Sequence, residues 1–173
     1  QSTHSIFGFE NDNIIGRLPQ SNQAHKDWSN FYIEERLLPQ FRLAVDRNLL
    51  TTKELPKEDQ LLSFFDTYFP NIKPSLLHGD LWSGNYLISE TGEPYLIDPA
   101  VYYGDRIVDI AMSKLFGGFG ASFYHAYHAV FPKENDLEMR IDLYHLYYLL
   151  VHLNLFGRGY YGSVNSILKL YFG

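Results

Sequence analysis

Cysteine is absent from the 173-residue chain. That one absence excludes disulfide bridges, thiolate nucleophiles and cysteine-built zinc centres, and it is easily reconciled with a reducing compartment. Also missing is any run of basic residues: the 14 Lys and Arg are scattered and the formal net charge is -6. A protein that neutralises nucleic-acid phosphates needs clustered cations, so no nucleic-acid partner is expected. No apolar stretch approaches the roughly 18 residues that span a bilayer, and the first residues lack the pattern of a secretory signal. A soluble, cytoplasmic protein with no membrane partner is the expectation, and its oligomeric state is open. The sequence starts at Gln1 rather than Met, so it reads as one part of a longer polypeptide.

What the chain does contain is apolar and aromatic material. At 46% hydrophobic and 20% charged residues, its composition is that of a folded globular protein, and its length suits one domain, 1–173. Fourteen Tyr and 13 Phe leave two readings open, because a Tyr can bury its ring while its hydroxyl reaches a polar partner. Either the core is aromatic or a cleft is lined with rings.

Periodicity organises the rest. Residues 1–21 mix Gly8, Gly16 and Pro19 with short apolar stretches and read as irregular or short-strand structure at an edge. Apolar residues at helical spacing predict a helix over 23–38, which Pro39 either breaks or follows as the opening of a second helix reaching about residue 50. A further helix starts after Pro56, with Glu58 and Asp59 in its first turn, and stops at Pro70. Then the pattern changes: 75–78 is strand-like, 79–85 is loop, and 86–88 and 95–97 flank Glu90-Thr91-Gly92-Glu93 as a hairpin. Helices follow over 107–115, ended by Gly117-Gly118, then 121–130, 137–155 and from 161 onward. The fold class is therefore mainly α (α+β): a helical bundle carrying one small β-hairpin.

That hairpin holds the unusual chemistry. His78-Gly79-Asp80-Leu81-Trp82-Ser83-Gly84-Asn85 puts an Asp five residues before an Asn in a tight loop, and Asp98 follows the hairpin's outgoing strand. Each piece alone is an ordinary turn or strand exit. Together they have the spacing of a kinase core, in which one carboxylate accepts the acceptor hydroxyl's proton while an Asn and a second Asp hold magnesium on the nucleotide phosphates. Asp80 is the candidate base, and Asn85 and Asp98 are the candidate metal ligands, for ATP and Mg2+ as cofactors. Magnesium takes a few such oxygens plus water and phosphate.

These segments, with Ile97-Asp98-Pro99-Ala100-Val101-Tyr102-Tyr103-Gly104-Asp105-Arg106 and Leu115-Phe116-Gly117-Gly118-Phe119, resemble the fructosamine kinase (ketosamine kinase) family, relatives of aminoglycoside phosphotransferases and choline kinases. The resemblance extends to Gly16-Arg17-Leu18-Pro19-Gln20, Asp27-Trp28, Arg36-Leu37, Pro39-Gln40, Leu155-Phe156-Gly157 and Gly159-Tyr160, so it covers nearly the whole chain. It implies the C-terminal lobe of a protein-kinase-like fold and phosphotransfer from ATP to a sugar hydroxyl of a small-molecule or protein-bound ketosamine. It also implies that Asp109 braces the catalytic loop, the alternative being an ordinary helix-surface Asp. His78 precedes the loop as structural support. Trp82 is either a wall of the sugar site or packing beneath the loop.

One position departs from the family pattern: Ile107 stands where an acid usually follows Gly-Asp-Arg. Nothing before Asp80 offers the glycine-rich strand pair, strand Lys and helix Glu of a nucleotide lobe, so that N-terminal lobe is expected outside this sequence, and the lobe alone is expected to be nearly inactive. Gly157-Arg158-Gly159-Tyr160-Tyr161-Gly162 fits G-x-G-x-x-G by letter, but it follows a helical segment and is read as a helix-to-helix turn. The histidine pairs His125 with His128 and His145 with His152 have no acid at ligand spacing and are read as packing or surface residues. Two other functions stay open: an aminoglycoside- or choline-type kinase, and a non-catalytic binding fragment.

Overall fold

Asp27 sets the start of the first helical layer. In the computed structural model, which describes residues 5–173, its carboxylate accepts from the Asn30 N–H at 3.0 Å and caps α1 (Trp28–Tyr32). The helix thus begins at Trp28 and not at 23, because the preceding segment is extended and Phe7 and His25 exchange backbone hydrogen bonds of 2.9 and 3.1 Å. Pro39 does not break the rod either. A π-helical turn (Ile33–Leu37) leads directly into α2 (Leu38–Asp46). Proline has no N–H for the carbonyl four residues back, which is that of Glu35. The wider turn accommodates this, and the Arg36 guanidinium donates to the Glu35 carbonyl at 3.0 Å. The rod ends at Asp46 rather than near residue 50, where Asn48 takes a left-handed φ of 55°.

The segment read as irregular or edge structure forms a hairpin, its first four residues lying outside the described ones. Strands β1 (Asn13–Ile15) and β2 (Leu18–Gln20) pair antiparallel, with Ile15 opposite Leu18. Side chains tie it to the chain beyond Asp98: the Asn13 amide donates to the Val101 carbonyl at 2.8 Å and the Gln20 amide to the Ala100 carbonyl at 3.2 Å. Arg36, wholly buried, reaches the same region, donating to the Ser21 carbonyl at 2.5 Å and to Asn22 Oδ1 at 2.7 Å. Its guanidinium lies over Tyr102 at 4.0 Å, so carbonyls and a ring face solvate this cation in place of a carboxylate.

Helix α3 (Glu58–Tyr68) precedes β3 (Ser75–Leu77), which pairs antiparallel with β6 (Tyr102–Gly104). Between them β4 (Tyr86–Ile88) and β5 (Pro94–Leu96) form the expected hairpin. Helices α4 (Ile107–Leu115), α5 (Ala121–Val130), α6 (Leu137–Phe156) and α7 (Tyr161–Phe172) complete the bundle. Gly157, at φ 87°, opens a 3-10 turn (Arg158–Tyr160) between α6 and α7, so the glycine-rich hexapeptide is indeed a helix-to-helix turn.

Helix α6 is the mast, with thirteen of its 20 residues buried, as expected of a helix surrounded by the others. Three fully buried tyrosines on it each place the hydroxyl against a partner, whereas the buried hydroxyls of Tyr32 and Tyr102 have none among the described residues. Tyr144 accepts from the Trp28 indole at 3.0 Å and donates to the Asp105 carboxylate. Tyr147 donates to Gln20 Oε1 at 2.6 Å, and Tyr148 to the Gly79 carbonyl at 2.6 Å. Asp105 also pairs with buried Arg140; burial works against the Arg140 charge, and the carboxylate outweighs it. Among the described residues no helix is long and apolar enough to cross a membrane.

Candidate active site

Strand β3 delivers His78, Gly79 and Asp80 to one end of the bundle. Asp109, in the first turn of α4, accepts from the His78 N–H at 2.8 Å with one carboxylate oxygen and from the Gly79 N–H at 2.9 Å with the other. It braces the loop and is not a surface residue. Burial raises its carboxyl above the ordinary range, and the two N–H donors oppose that shift. Gly79 has φ +80°, and a Cβ there would lie 2.1 Å from the Ala100 carbonyl oxygen, so no other residue fits.

His78 carries a fixed tautomer. Its Nδ1 accepts from the Asp80 N–H at 3.3 Å, so its Nε2–H donates to the Ile97 carbonyl at 2.9 Å. One imidazole thereby links the loop to the end of the hairpin, and the Ala100 N–H returns to the His78 carbonyl at 2.9 Å.

The 3-10 turn Ser83–Asn85 swings Asn85 back to Asp80. Its Nδ2 donates to the Asp80 carbonyl at 2.9 Å and to the Asp80 carboxylate at 3.1 Å. That leaves Asn85 Oδ1 with no hydrogen bond to the described residues. The Ile97 N–H donates to the Asn85 carbonyl at 3.0 Å, which brings the hairpin's outgoing strand alongside and sets Asp98 next to the loop. Asp98 is exposed and left-handed, φ 52°, an uncommon backbone state outside glycine and one that clusters at functional sites. Burial raises the Asp80 carboxyl; the Asn85 amide, His78 and His152 pull it down, and the Asp98 charge adds a smaller upward push. Asn85 is thus in direct contact with Asp80, and Asp98 follows the residue that bonds the Asn85 carbonyl; carboxylate and amide oxygens are the donor type that suits a hard divalent ion such as magnesium.

Beside Asp80 lies a cavity of ≈ 400 Å³ walled by Trp82, Phe116, His152, Phe156 and Tyr160 among others. Trp82 lines this space and is 37% exposed, and its ring also packs on the loop over Gly84, where a Cβ would come within 2.3 Å of it. Ile107 is buried at the start of α4 and is not part of the wall, so the position that departs from the family pattern faces the core.

Sequence reasoning missed Tyr148 as a brace and the α6 side of this cavity. His152, read there as packing or surface, does pack, 4.5 Å from Phe116 between ring centroids, yet it also faces the cavity. Its Nδ1 meets the Tyr148 carbonyl at 2.7 Å, whereas His145 bonds the Ala111 carbonyl at 2.8 Å and serves packing alone. The only signal was the Leu155-Phe156-Gly157 and Gly159-Tyr160 pattern, which has no spacing relation to Asp80. His128 meets the Phe131 carbonyl at 3.2 Å.

Comparison with known proteins gives a consistent result. The family described as Fructosamine kinase matches residues 1–172. The probable ketoamine kinase of Lactiplantibacillus plantarum is 47% identical over 172 residues, covering 97% of this chain and 61% of that protein. The chloroplastic protein-ribulosamine 3-kinase of Arabidopsis thaliana is 47% identical over 171 residues, and the ketosamine-3-kinase of Mus musculus 39% over 165, with 98% and 94% of this chain and 52% and 53% of those proteins covered. A crystal structure from Thermobifida fusca carrying the name fructosamine-3-kinase superposes with a TM-score of 0.84 at 35% identity, covering 96% of this chain and 58% of that one. The chain spans about half to three fifths of the length of these curated relatives.

Proposed function

Since the chain belongs to the fructosamine kinase family and forms a kinase-like C-terminal lobe, we propose that the protein carrying it transfers the γ-phosphoryl group of ATP to a sugar hydroxyl of a ketosamine, free or protein-bound. The observation that carries this reading is the contact of the Asn85 amide with the Asp80 carboxylate in a loop that Asp109 clamps from behind, with Asp98 brought alongside by the Ile97 N–H bond to the Asn85 carbonyl.

In this reading Asp80 accepts the proton of the acceptor hydroxyl as its oxygen bonds to the γ-phosphorus and the bond to the ADP oxygen breaks. A carboxyl raised by burial is a better base, and the Asn85 amide with the two imidazoles limits that rise. Asn85 Oδ1 and the Asp98 carboxylate would hold magnesium, which would supply neutralisation of the phosphate charge. His78 fixes the backbone between base and hairpin, and Trp82 walls the sugar. Phosphoryl transfer depends mostly on positioning, so the double clamp of Asp109 on the loop backbone is a catalytic asset as well as a structural one.

The hairpin supports an expected partner for this lobe. Leu87, Ile88, Tyr95 and Leu96 are each more than half exposed, an apolar surface suited to an adenine ring and to a nucleotide-binding lobe that covers the phosphates. The lobe by itself would lack that cover and be nearly inactive.

The decisive experiment is ATP-dependent phosphorylation of a panel of ribulosamines and fructosamines by the full-length protein, with Asp80→Asn alongside. We expect turnover that falls about 1000-fold or more in the variant. Turnover on choline or aminoglycoside alcohols alone would move the acceptor class, and failure to bind nucleotide would leave a binding module.

A further inference from the structure

The cavity beside Asp80 has an unusual balance of charge. Its wall carries one carboxylate, that of Asp80, and no lysine or arginine. The polar groups facing it are largely committed elsewhere: the Tyr148 hydroxyl donates to the Gly79 carbonyl, and His152 Nδ1, facing the Tyr148 carbonyl, donates to it. The remaining wall is apolar, part aliphatic and part a cluster of rings. His152 lies 4.5 Å from Phe116, 5.1 Å from Tyr160 and 5.5 Å from Phe156, and Phe156 lies 6.3 Å from Tyr160. Phe156 is 62% exposed although it ends a helix whose earlier turns are buried, so core packing gives no reason for it.

An anionic ligand would meet a carboxylate and the negative faces of rings. A neutral sugar would find few free polar partners. A cation with apolar substituents finds a carboxylate and several aromatic rings together.

We infer that Phe116, Phe156 and Tyr160, grouped around His152, seat the protonated amine arm of the acceptor and so select ketosamines over neutral ketoses with the same hydroxyls. This rests on the ketosamine reading above and adds the part of the substrate that is recognised and the groups that recognise it. In a ketosamine the amine is on the carbon next to the carbonyl, so one cavity of ≈ 400 Å³ holds both the cation and the hydroxyl presented to Asp80. A lysine-derived ketosamine continues from the same nitrogen into an aliphatic chain, which leaves past exposed Phe156 and lets the acceptor remain attached to a protein.

The test is calorimetric binding, in full-length protein, of Nε-fructosyl-lysine and of its N-acetylated, uncharged counterpart. Wild type is expected to prefer the cation about tenfold, and Phe156→Leu and Tyr160→Leu, which keep apolar volume but remove a ring face, to cut that ratio about threefold each. Tyr160→Phe keeps the face and should keep the ratio. In turnover the Leu variants should raise the ketosamine KM and change kcat by less than about twofold. An unchanged ratio in both Leu variants, or an equal loss in Tyr160→Phe, overturns the inference and leaves the kinase reading intact. A protein that binds magnesium-ATP but neither sugar amine overturns the ketosamine reading and the inference with it.

Discussion

Helix α6 and the β4–β5 hairpin are both rich in large apolar residues and meet opposite fates. On α6, Tyr144, Tyr147 and Tyr148 are at most 1% exposed, and each hydroxyl is bonded to another element. On the hairpin, all six strand residues are exposed, with Leu87 at 55% and Leu96 at 59%. The difference shows where stability and function separate. Apolar surface removed from water on α6 supports the fold. The same kind of surface left in water on the hairpin costs the lobe nothing it needs to fold, and in the proposed reading it is what the nucleotide meets. Asp80 lies between the two, on a loop that α6 holds through Tyr148 and the hairpin holds through His78.

The largest expected effect tests that intermediate position. Asp80→Asn should remove activity, as stated above, while the protein melts no lower than wild type at pH 7. The sign follows from the raised Asp80 carboxyl. The unfolded group ionises near 3.9 and the folded one higher, so its stability contribution is complete below the unfolded value and is lost as pH rises through the folded value. Asn escapes that loss, and the two melting curves should converge as the pH falls toward about 4. Thermal melts across pH would check it, and a variant well below wild type at pH 7 would make Asp80 a structural residue.

On the mast side, Arg140→Met should destabilise by about 3–5 kcal/mol, because it leaves the Asp105 carboxylate buried without its cation. Asp109→Asn should cost about 2–3 kcal/mol, since an amide can accept from only one of the two loop N–H groups and sets a donor against the other. Urea denaturation measures both. If Asp109→Asn were as stable as wild type, α4 would not be what holds the loop; if Arg140→Met were, the Asp105 pair would not help fasten α6 to the start of α4.

Much of this organisation was legible in the sequence, and the exceptions share a physical cause. The helices over 107–115 and 121–130 and the hairpin came from local periodicity, which records which face is buried. The spacing of Asp80, Asn85 and Asp98 was likewise local, all within one loop and one hairpin. The unbroken rod through Pro39 was not legible, because it depends on a π turn and on Arg36 reaching back to the Glu35 carbonyl. The pairing of β3 with β6 was hidden too, since Tyr102 lies 25 positions beyond Leu77. So was the role of Tyr148, whose partner Gly79 is 69 positions away. Periodicity carries no record of which distant segment a side chain meets. Even His152, seen as a histidine on a helix, gave no sign that its ring would border the cavity.

On the hairpin side the comparison predicts separation of effects. Leu87→Ser and Leu96→Ser should each change the stability of the lobe by less than about 0.5 kcal/mol, as for other exposed positions. In the full-length protein they should raise the KM for ATP several-fold and leave the ketosamine KM near its original value. Unfolding of either variant would show that the hairpin belongs to the core after all.

The smallest effect returns to the mast and concerns a side chain that touches no substrate. Burial lowers the pKa of His145 below its usual range, and its bond to the Ala111 carbonyl opposes that shift. A depressed histidine contributes stability that is complete above its unfolded value near 6.5 and is lost as pH falls through the folded value, because the unfolded chain takes up the proton first. His145→Gln keeps a donor for the Ala111 carbonyl and cannot be protonated. The wild type should therefore lose stability relative to this variant only as the pH drops below about 6.5, with parallel behaviour at pH 8. Urea midpoints at pH 8, 7, 6 and 5 would show this, and a constant difference across that series would mean that His145 titrates alike in both states. Its place against α4 would then be open to water, and α6 less completely enclosed than its tyrosines indicate.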